Sequence, residues 1–325
     1  MATMTKKKSK KNEVVKAAVS VKSNDTQSPP PRVLPPGVSP VLSEVVAQLR
    51  ELQRQRSVTI KFRIVQENRI RSVIAGTIGY SNQMPEKERE RLYKEAQKLI
   101  DNVAAGKTVH PYRGIILASQ DAINAFKLLE DGFSEEMVIR AALFPVAKWV
   151  EKAEQRSFGL LSLATIIGEC GDLNYYANPA KLWRRMSCAP WTFNDLTRMG
   201  AAWRGKYKDV TTKLPDTEWT KYGYSPRRRS ISYNIGVNIV RQNFLDNGKE
   251  EEEERKQGPY RARYLQAKER AAEKHPEWTP MHCNRHAMLL ATKLLYKNLW
   301  LEWTEHKLGK PWTPEDKIAG RSLYT

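Results

Sequence analysis

Cysteine is scarce. The 325-residue chain holds three, Cys170, Cys188 and Cys283. An odd, widely spaced set excludes a disulfide framework and suits a reducing compartment. Acidic residues are short as well: 36 Asp and Glu stand against 55 Lys and Arg, for a net charge of +19. No apolar run approaches the ~18 residues that a membrane span requires. The lysines Lys6, Lys7, Lys8, Lys10 and Lys11 have no apolar segment behind them, so no secretory signal is expected. Aromatics are not scarce. Nine Trp and thirteen Tyr argue against wholesale disorder. The length suits one large domain or two ordinary ones. The basic excess implies an anionic partner, nucleic acid ahead of an anionic membrane surface, and no membrane partner is expected.

Residues 1–40 read as a disordered tail. The lysine run is followed by a polar stretch and then by Pro29, Pro30, Pro31, Pro35, Pro36 and Pro40. Proline lacks an amide donor and fixes φ, which keeps such a piece extended. It serves either as a solubilising tail or as an arm adding phosphate contacts. From Val41 the pattern changes: Val41, Leu42, Val45, Val46, Leu49 and Leu52 recur at helical intervals, with no Gly or Pro until Gly76. One long helix over 41 to about 75 is expected, coiled-coil-like and in need of a partner such as its own copy in a dimer. Pro85 opens a second helix to about 103. A loop over 104–118 follows, then helices over about 119–130 and 134–154. Asp131-Gly132-Phe133-Ser134 is the expected turn between those two, and Pro145 the expected kink in the second. The acidic run Glu250 to Glu254 reads as a solvated loop or helix start.

The run Phe158-Gly159-Leu160-Leu161, continuing to Gly168-Glu169-Cys170-Gly171-Asp172, reads as a glycine turn, a small-residue helix and a Gly-Asp stop. A turn that opens directly into a helix presents free amides to phosphate. The run resembles the G-P-x-T-A-x-x-L-L-A-E-x-G-D segment of a group of bacterial insertion-sequence transposases. These join a RuvC-like nuclease domain with four catalytic acids to a C-terminal domain bearing a helix-hairpin-helix and a catalytic serine. Further segments follow in order. Asn178-Pro179-Ala180-Lys181-Leu182-Trp183 through Ala189-Pro190, Tyr224-Ser225-Pro226-Arg227-Arg228-Arg229, Pro259-Tyr260-Arg261-Ala262-Arg263-Tyr264 and Ala287 to Leu295 each resemble a family segment. Upstream, Gln66-Glu67-Asn68-Arg69-Ile70-Arg71 resembles the K-N-R-L-R of the family's long helix. The resemblance covers roughly 45–80 and 155–305. It implies a helical, helix-hairpin-helix domain over 151–310, after a helical region over 41–150 and before a C-terminal extension over 311–325.

The departures are specific. Ser157 and Ser187 stand where the family has glycine, which matters only if those positions need a positive φ. The nuclease domain is missing. Asp101, Asp121 and Asp131 fall on or beside expected helices, so no metal-binding carboxylate is carried over. No cofactor is expected, and magnesium only with a separate nuclease subunit. The resemblance places the family's serine at Ser225. A serine nucleophile needs deprotonation, and its phosphate needs cations, which Arg227, Arg228 and Arg229 supply. The alternative is that Ser-Pro opens a turn and the arginines grip backbone phosphate without chemistry.

The expected DNA-binding residues are Gly159, Ser162, Lys181, Arg184, Arg185, Arg204, Lys206, Arg227, Arg228, Arg229, Arg261 and Arg263. Trp183, Trp191, Trp203, Tyr207, Trp219, Tyr222 and Tyr224 interleave with the basic residues of 184–229, the stretch expected to face nucleic acid; most such Trp serve packing. His282 and His286 share a helix face near Cys283, but zinc needs four ligands and no second pair is suitably spaced. Cys170 and Cys188 read as small core residues. The sequence therefore leads to a mainly α protein that binds DNA, a nuclease-less transposase-like accessory or domesticated recombination factor, cytoplasmic and nucleoid-associated. The resemblance also implies a structured RNA partner. The competing expectations are a strand-transfer enzyme using Ser225 and a self-associating structural protein.

Overall fold

The structure, a computed structural model, describes residues 40–189, 225–245, 255–311 and 313. The expected tail, the basic residues Arg204 and Lys206 and the acidic run lie outside them. Among the described residues nine α-helices carry the architecture, with two 3₁₀ turns and no β-strand; Phe244 and Gln257 form an isolated bridge. The mainly α fold expected from the sequence is the one observed.

The long helix, α1, spans Pro40–Thr77. It buries Val45, Val46 and Leu49 near its start and Ile70, Ile74 and Ala75 near its end. The middle buries polar residues instead: Gln53, Ser57 and Thr59. The Ser57 and Thr59 hydroxyls donate back to the carbonyls of Gln53 and Gln55, at 2.7 and 3.0 Å, so neither is left unpaired inside the packing. α2 (Glu86–Ala104) buries Leu92, Ala96, Ile100 and Val103, a three-to-four spacing that gives it one apolar face. The helix opens after Pro85 with Glu86 and Glu88 in its first turn, where acids complement the helix dipole.

α3 runs unbroken over Arg113–Ala141, which corrects two expectations. The loop ends at Tyr112, and no turn interrupts Asp131-Gly132-Phe133-Ser134. A glycine inside a helix costs about 1 kcal/mol relative to alanine. Packing against α1 outweighs it. Ile123 and Met137, on either side of Gly132, are buried, and each such side chain stabilises by roughly 1.5–3 kcal/mol. Arg63 of α1 pairs with Glu130 at 2.6 Å. Ser134 is not a cap: its Oγ donates to the Glu130 carbonyl at 2.7 Å and accepts from Arg56 Nε at 2.8 Å. The two helices expected on either side of this turn are therefore one as far as Ala141. Pro145 kinks nothing; it lies in the turn between α3 and the one-turn α4 (Ala147–Val150).

The remaining helices are α5 (Leu160–Cys170), α6 (Pro179–Arg185), α7 (Pro226–Gln242), α8 (Pro259–Lys274) and α9 (Pro280–Leu308). α9 is the axis of this half. It packs against α6, α7 and α8 and buries Ala287, Ala291, Leu295, Leu299 and Trp303 at four-residue steps. Two close helix approaches depend on glycine. A Cβ on Gly168 would meet Gln53 Cβ at 2.5 Å, and one on Gly236 would meet Met288 Cγ at 2.6 Å. The larger core joins the start of α1 and the end of α3 to α4–α9. The smaller one gathers Ile70, Ile74 and Ala75 of α1 with residues of α2 and α3.

Candidate nucleic-acid interface

Ser225 sits at the head of α7 as its N-cap, with Pro226 at the first helical position. Its Oγ accepts from the Arg228 amide at a long 3.4 Å, and its own amide donates to Ser187 Oγ at 2.9 Å. This is the turn-opening role that Ser-Pro allows.

The arginines that follow are gathered by a residue that had no expected role, although it stands at the acid of the run resembling A-E-x-G-D. Glu169, in the last turn of α5, has a fully buried side chain. Its Oε2 accepts from Arg227 Nη2 at 2.7 Å and from Arg228 Nε at 3.3 Å. Its Oε1 accepts from Gln53 Nε2 at 3.0 Å, and its backbone carbonyl accepts from Arg185 Nη2 at 3.2 Å. The last contact satisfies a carbonyl at a helix C-terminus, where a cation is favoured. Burial first, and then the Arg185 charge, pull the Arg228 guanidinium below its ordinary value, while Glu169 opposes them. Three guanidiniums thus converge on one acidic residue, leaving an excess of positive charge beside Ser225. The Arg227 side chain is 46% exposed and remains reachable, whereas Arg228, at 18%, is chiefly a clamp. Of the three arginines expected to contact phosphate, Arg227 is thus the more exposed of the two held by Glu169. A sequence signal for Glu169 did exist: it is the single charged residue of the helix Leu160–Cys170.

Arg229 turns toward Cys188 and Lys293, whose ionisations it perturbs. Burial first, and Arg229 also, lower the Lys293 ammonium, and that group lies 5.7 Å from the Trp183 ring centroid. Trp183 Nε1 donates to the Lys293 carbonyl at 3.0 Å, a packing role. Burial pushes the Cys170 thiol up to about 12 and raises that of Cys188, so neither is a thiolate at neutral pH.

Gly159 caps α5 at its other end. At 1.5 Å per residue it lies about 15 Å along the axis from Glu169. The two cationic neighbourhoods are therefore separate. Gly159 and Ser162 line a cleft with Lys152, Arg156, Asn238 and Gln242. Lys181 and Arg184 are exposed on α6, one turn apart on the helix that also supplies Arg185. Arg263 donates to Gln266 Oε1 at 2.9 Å on the surface of α8. Arg261 is the clearest correction. It is 9% exposed, with its guanidinium 4.4 Å from the Phe244 ring centroid, so it serves packing. Trp191, Trp203, Tyr207, Trp219, Tyr222 and Tyr224 lie outside the described residues.

Ser157 and Ser187 both have a positive φ, at 92° and 57°. Among the described residues no three His, Cys, Asp or Glu side chains gather in a way that would hold a metal. Nor is any described helix long and apolar enough to cross a membrane. Comparison with protein-family models, curated proteins and solved structures finds no match.

Proposed function

We propose that the chain binds DNA as a transposase-like protein without a nuclease half, acting as an accessory or domesticated recombination factor. The observation that carries this reading is the convergence of Arg185, Arg227 and Arg228 on the single acid Glu169. Contacts to its carboxylate and its backbone carbonyl fix the inner edges of these guanidiniums. Arg227 keeps an outer edge for phosphate, and Lys181 and Arg184 extend the cationic surface along α6. Such an arrangement positions a nucleic-acid backbone without reading bases. The net charge of +19 supplies the longer-range attraction. A structured RNA is a second polyanion of the same kind, and it rests on the sequence resemblance. In this reading Ser225 shapes the turn, its hydroxyl capping α7, and carries no chemistry.

The proposal includes a homodimer through the long helix. Phe62 and Val65 of α1 are 59% and 61% exposed, and Leu128 and Ile139 of α3 are 74% and 60% exposed. Apolar surface on this scale, on two helices that pack together, suits a second copy. The test of the main reading is duplex binding across a salt series. Affinity should fall linearly on a logarithmic scale, and Arg227→Ala should reduce that slope by about one contact. Absence of binding to double-stranded DNA, single-stranded DNA and RNA at low salt overturns it.

A further inference from the structure

Three of the chain's five histidines surround one tryptophan in the connection between α8 and α9. The His275 ring lies 4.1 Å from Trp278 at an interplanar angle of 8°, and the His282 ring 4.2 Å away at 10°. Two near-parallel rings at that separation fit only on opposite faces of one indole. The result is a three-ring stack, His275–Trp278–His282. His286 meets the indole edge-on at 5.4 Å and 66°.

The local sequence builds the stack. His275 ends α8, and Thr279 caps α9, with its Oγ1 accepting from the His282 amide at 3.3 Å. At one end of the stack, His275 is half-buried and its Nδ1 lies 3.1 Å from Glu277 Oε1. His282 at the other end is exposed, and Trp278 covers one of its two faces. Packing of the interior does not account for the arrangement, since Trp278 belongs to neither core. Metal binding does not account for it either. Imidazoles laid flat on an indole do not aim their nitrogens at a common point. One turn beyond His282 on α9 stands the exposed Arg285.

We propose that this stack is a platform for an unpaired nucleobase. The base adds a fourth ring on the open face of His282, and Arg285 takes the adjoining phosphate. The proposal rests on the nucleic-acid reading above and narrows it to single-stranded segments. Every base has a π face, so the contact is tolerant of sequence, and a paired base inside a duplex cannot reach it.

The experiment uses the full chain and two labelled oligonucleotides of about twelve residues, one all-thymine and one abasic, with the same number of phosphates. Fluorescence anisotropy should show the thymine oligonucleotide bound about 5- to 100-fold more tightly than the abasic one. His282→Ala should erase that ratio and leave the abasic affinity unchanged, and His282→Tyr should restore it. Arg285→Ala should weaken both ligands alike. Equal affinity of the wild-type chain for the two oligonucleotides overturns the platform, and so does a ratio that survives in His282→Ala. If duplex DNA is still bound in that case, the failure belongs to the stack alone. If no nucleic acid is bound at all, the proposed function fails with it.

Discussion

Replacing Ser157 with glycine should make this protein more stable. A residue with a Cβ at a φ of 92° is strained, and the left-handed region costs an L-residue about 1–2 kcal/mol. The turn cannot relax, because it is pinned on both sides. Asn243 Nδ2 donates to the Glu154 and Arg156 carbonyls at 3.1 and 2.6 Å, and the Phe158 amide donates to the Gln155 carbonyl at 2.8 Å. In addition, Ser157 Oγ is buried and has no hydrogen-bond partner among the described residues, a penalty of about 1 kcal/mol at the lower end of the range. Glycine returns about 0.5–1 kcal/mol through the greater freedom of the unfolded chain. The net gain is about 1–2 kcal/mol, or roughly 2–8 °C in melting temperature for a domain of this size. Thermal unfolding, with a urea titration to check that m is unchanged, measures it. Ser157→Ala separates the two contributions. It removes the hydroxyl and keeps the strain, so it should gain about 1 kcal/mol and fall short of glycine by the strain relief less glycine's entropic cost. A glycine variant that melts at or below the wild type would falsify the argument. An alanine variant that matches it would limit the strain at φ to no more than glycine's entropic cost.

Ser187→Gly should cost about 0.5–1 kcal/mol: relief of the φ of 57° and loss of the acceptor of the Ser225 amide nearly cancel, which leaves glycine's entropic cost. Ser187→Ala lacks the relief and should cost about 1–2 kcal/mol by the same unfolding assay. Glu169→Ala leaves two guanidiniums without their buried partner and should destabilise by about 3–5 kcal/mol; chemical denaturation that shows less than about 1 kcal/mol would reject its role as the clamp. Burial, first, and the charges of Lys293, His275 and His282 hold His286 below its ordinary 6.5. The unfolded chain takes up that proton first, so this contribution to stability is complete above about pH 6.5 and is lost as pH falls through the folded value. Melting curves recorded from neutral pH down to about pH 5 should show the decline, and His286→Gln should flatten it. Cys170, with its thiol pushed up to about 12, should resist iodoacetamide at about pH 8 until urea unfolds the chain.

The sequence was informative wherever one residue type decides a local outcome. The absence of glycine and proline between Pro40 and Gly76 marked out α1, Pro85 the start of α2, and Gly159 and Ser225 each a helix N-terminus. It misled at Gly132 and Ser134, where local propensity reads as a turn. Arg56 and Arg63, which lie 78 and 67 positions before their partners Ser134 and Glu130, hold that helix straight. Non-local contacts of that kind leave no local signature. The same limit hid Glu169, whose partners come from α1, α6 and α7. Arg261 failed for a related reason: the composition of a basic segment does not reveal which of its side chains turns inward over Phe244.

The length of α1 has a dynamic consequence. Its 38 residues extend about 57 Å and take part in two apolar clusters. Among the described residues, eight buried residues form the second cluster, against thirty-one in the first. Amide hydrogen exchange should accordingly be uneven along a single helix, with slow exchange near Leu49 and faster exchange near Ile74, where the smaller cluster opens first as a cooperative unit. Local opening of α1 should therefore begin at its α2 end.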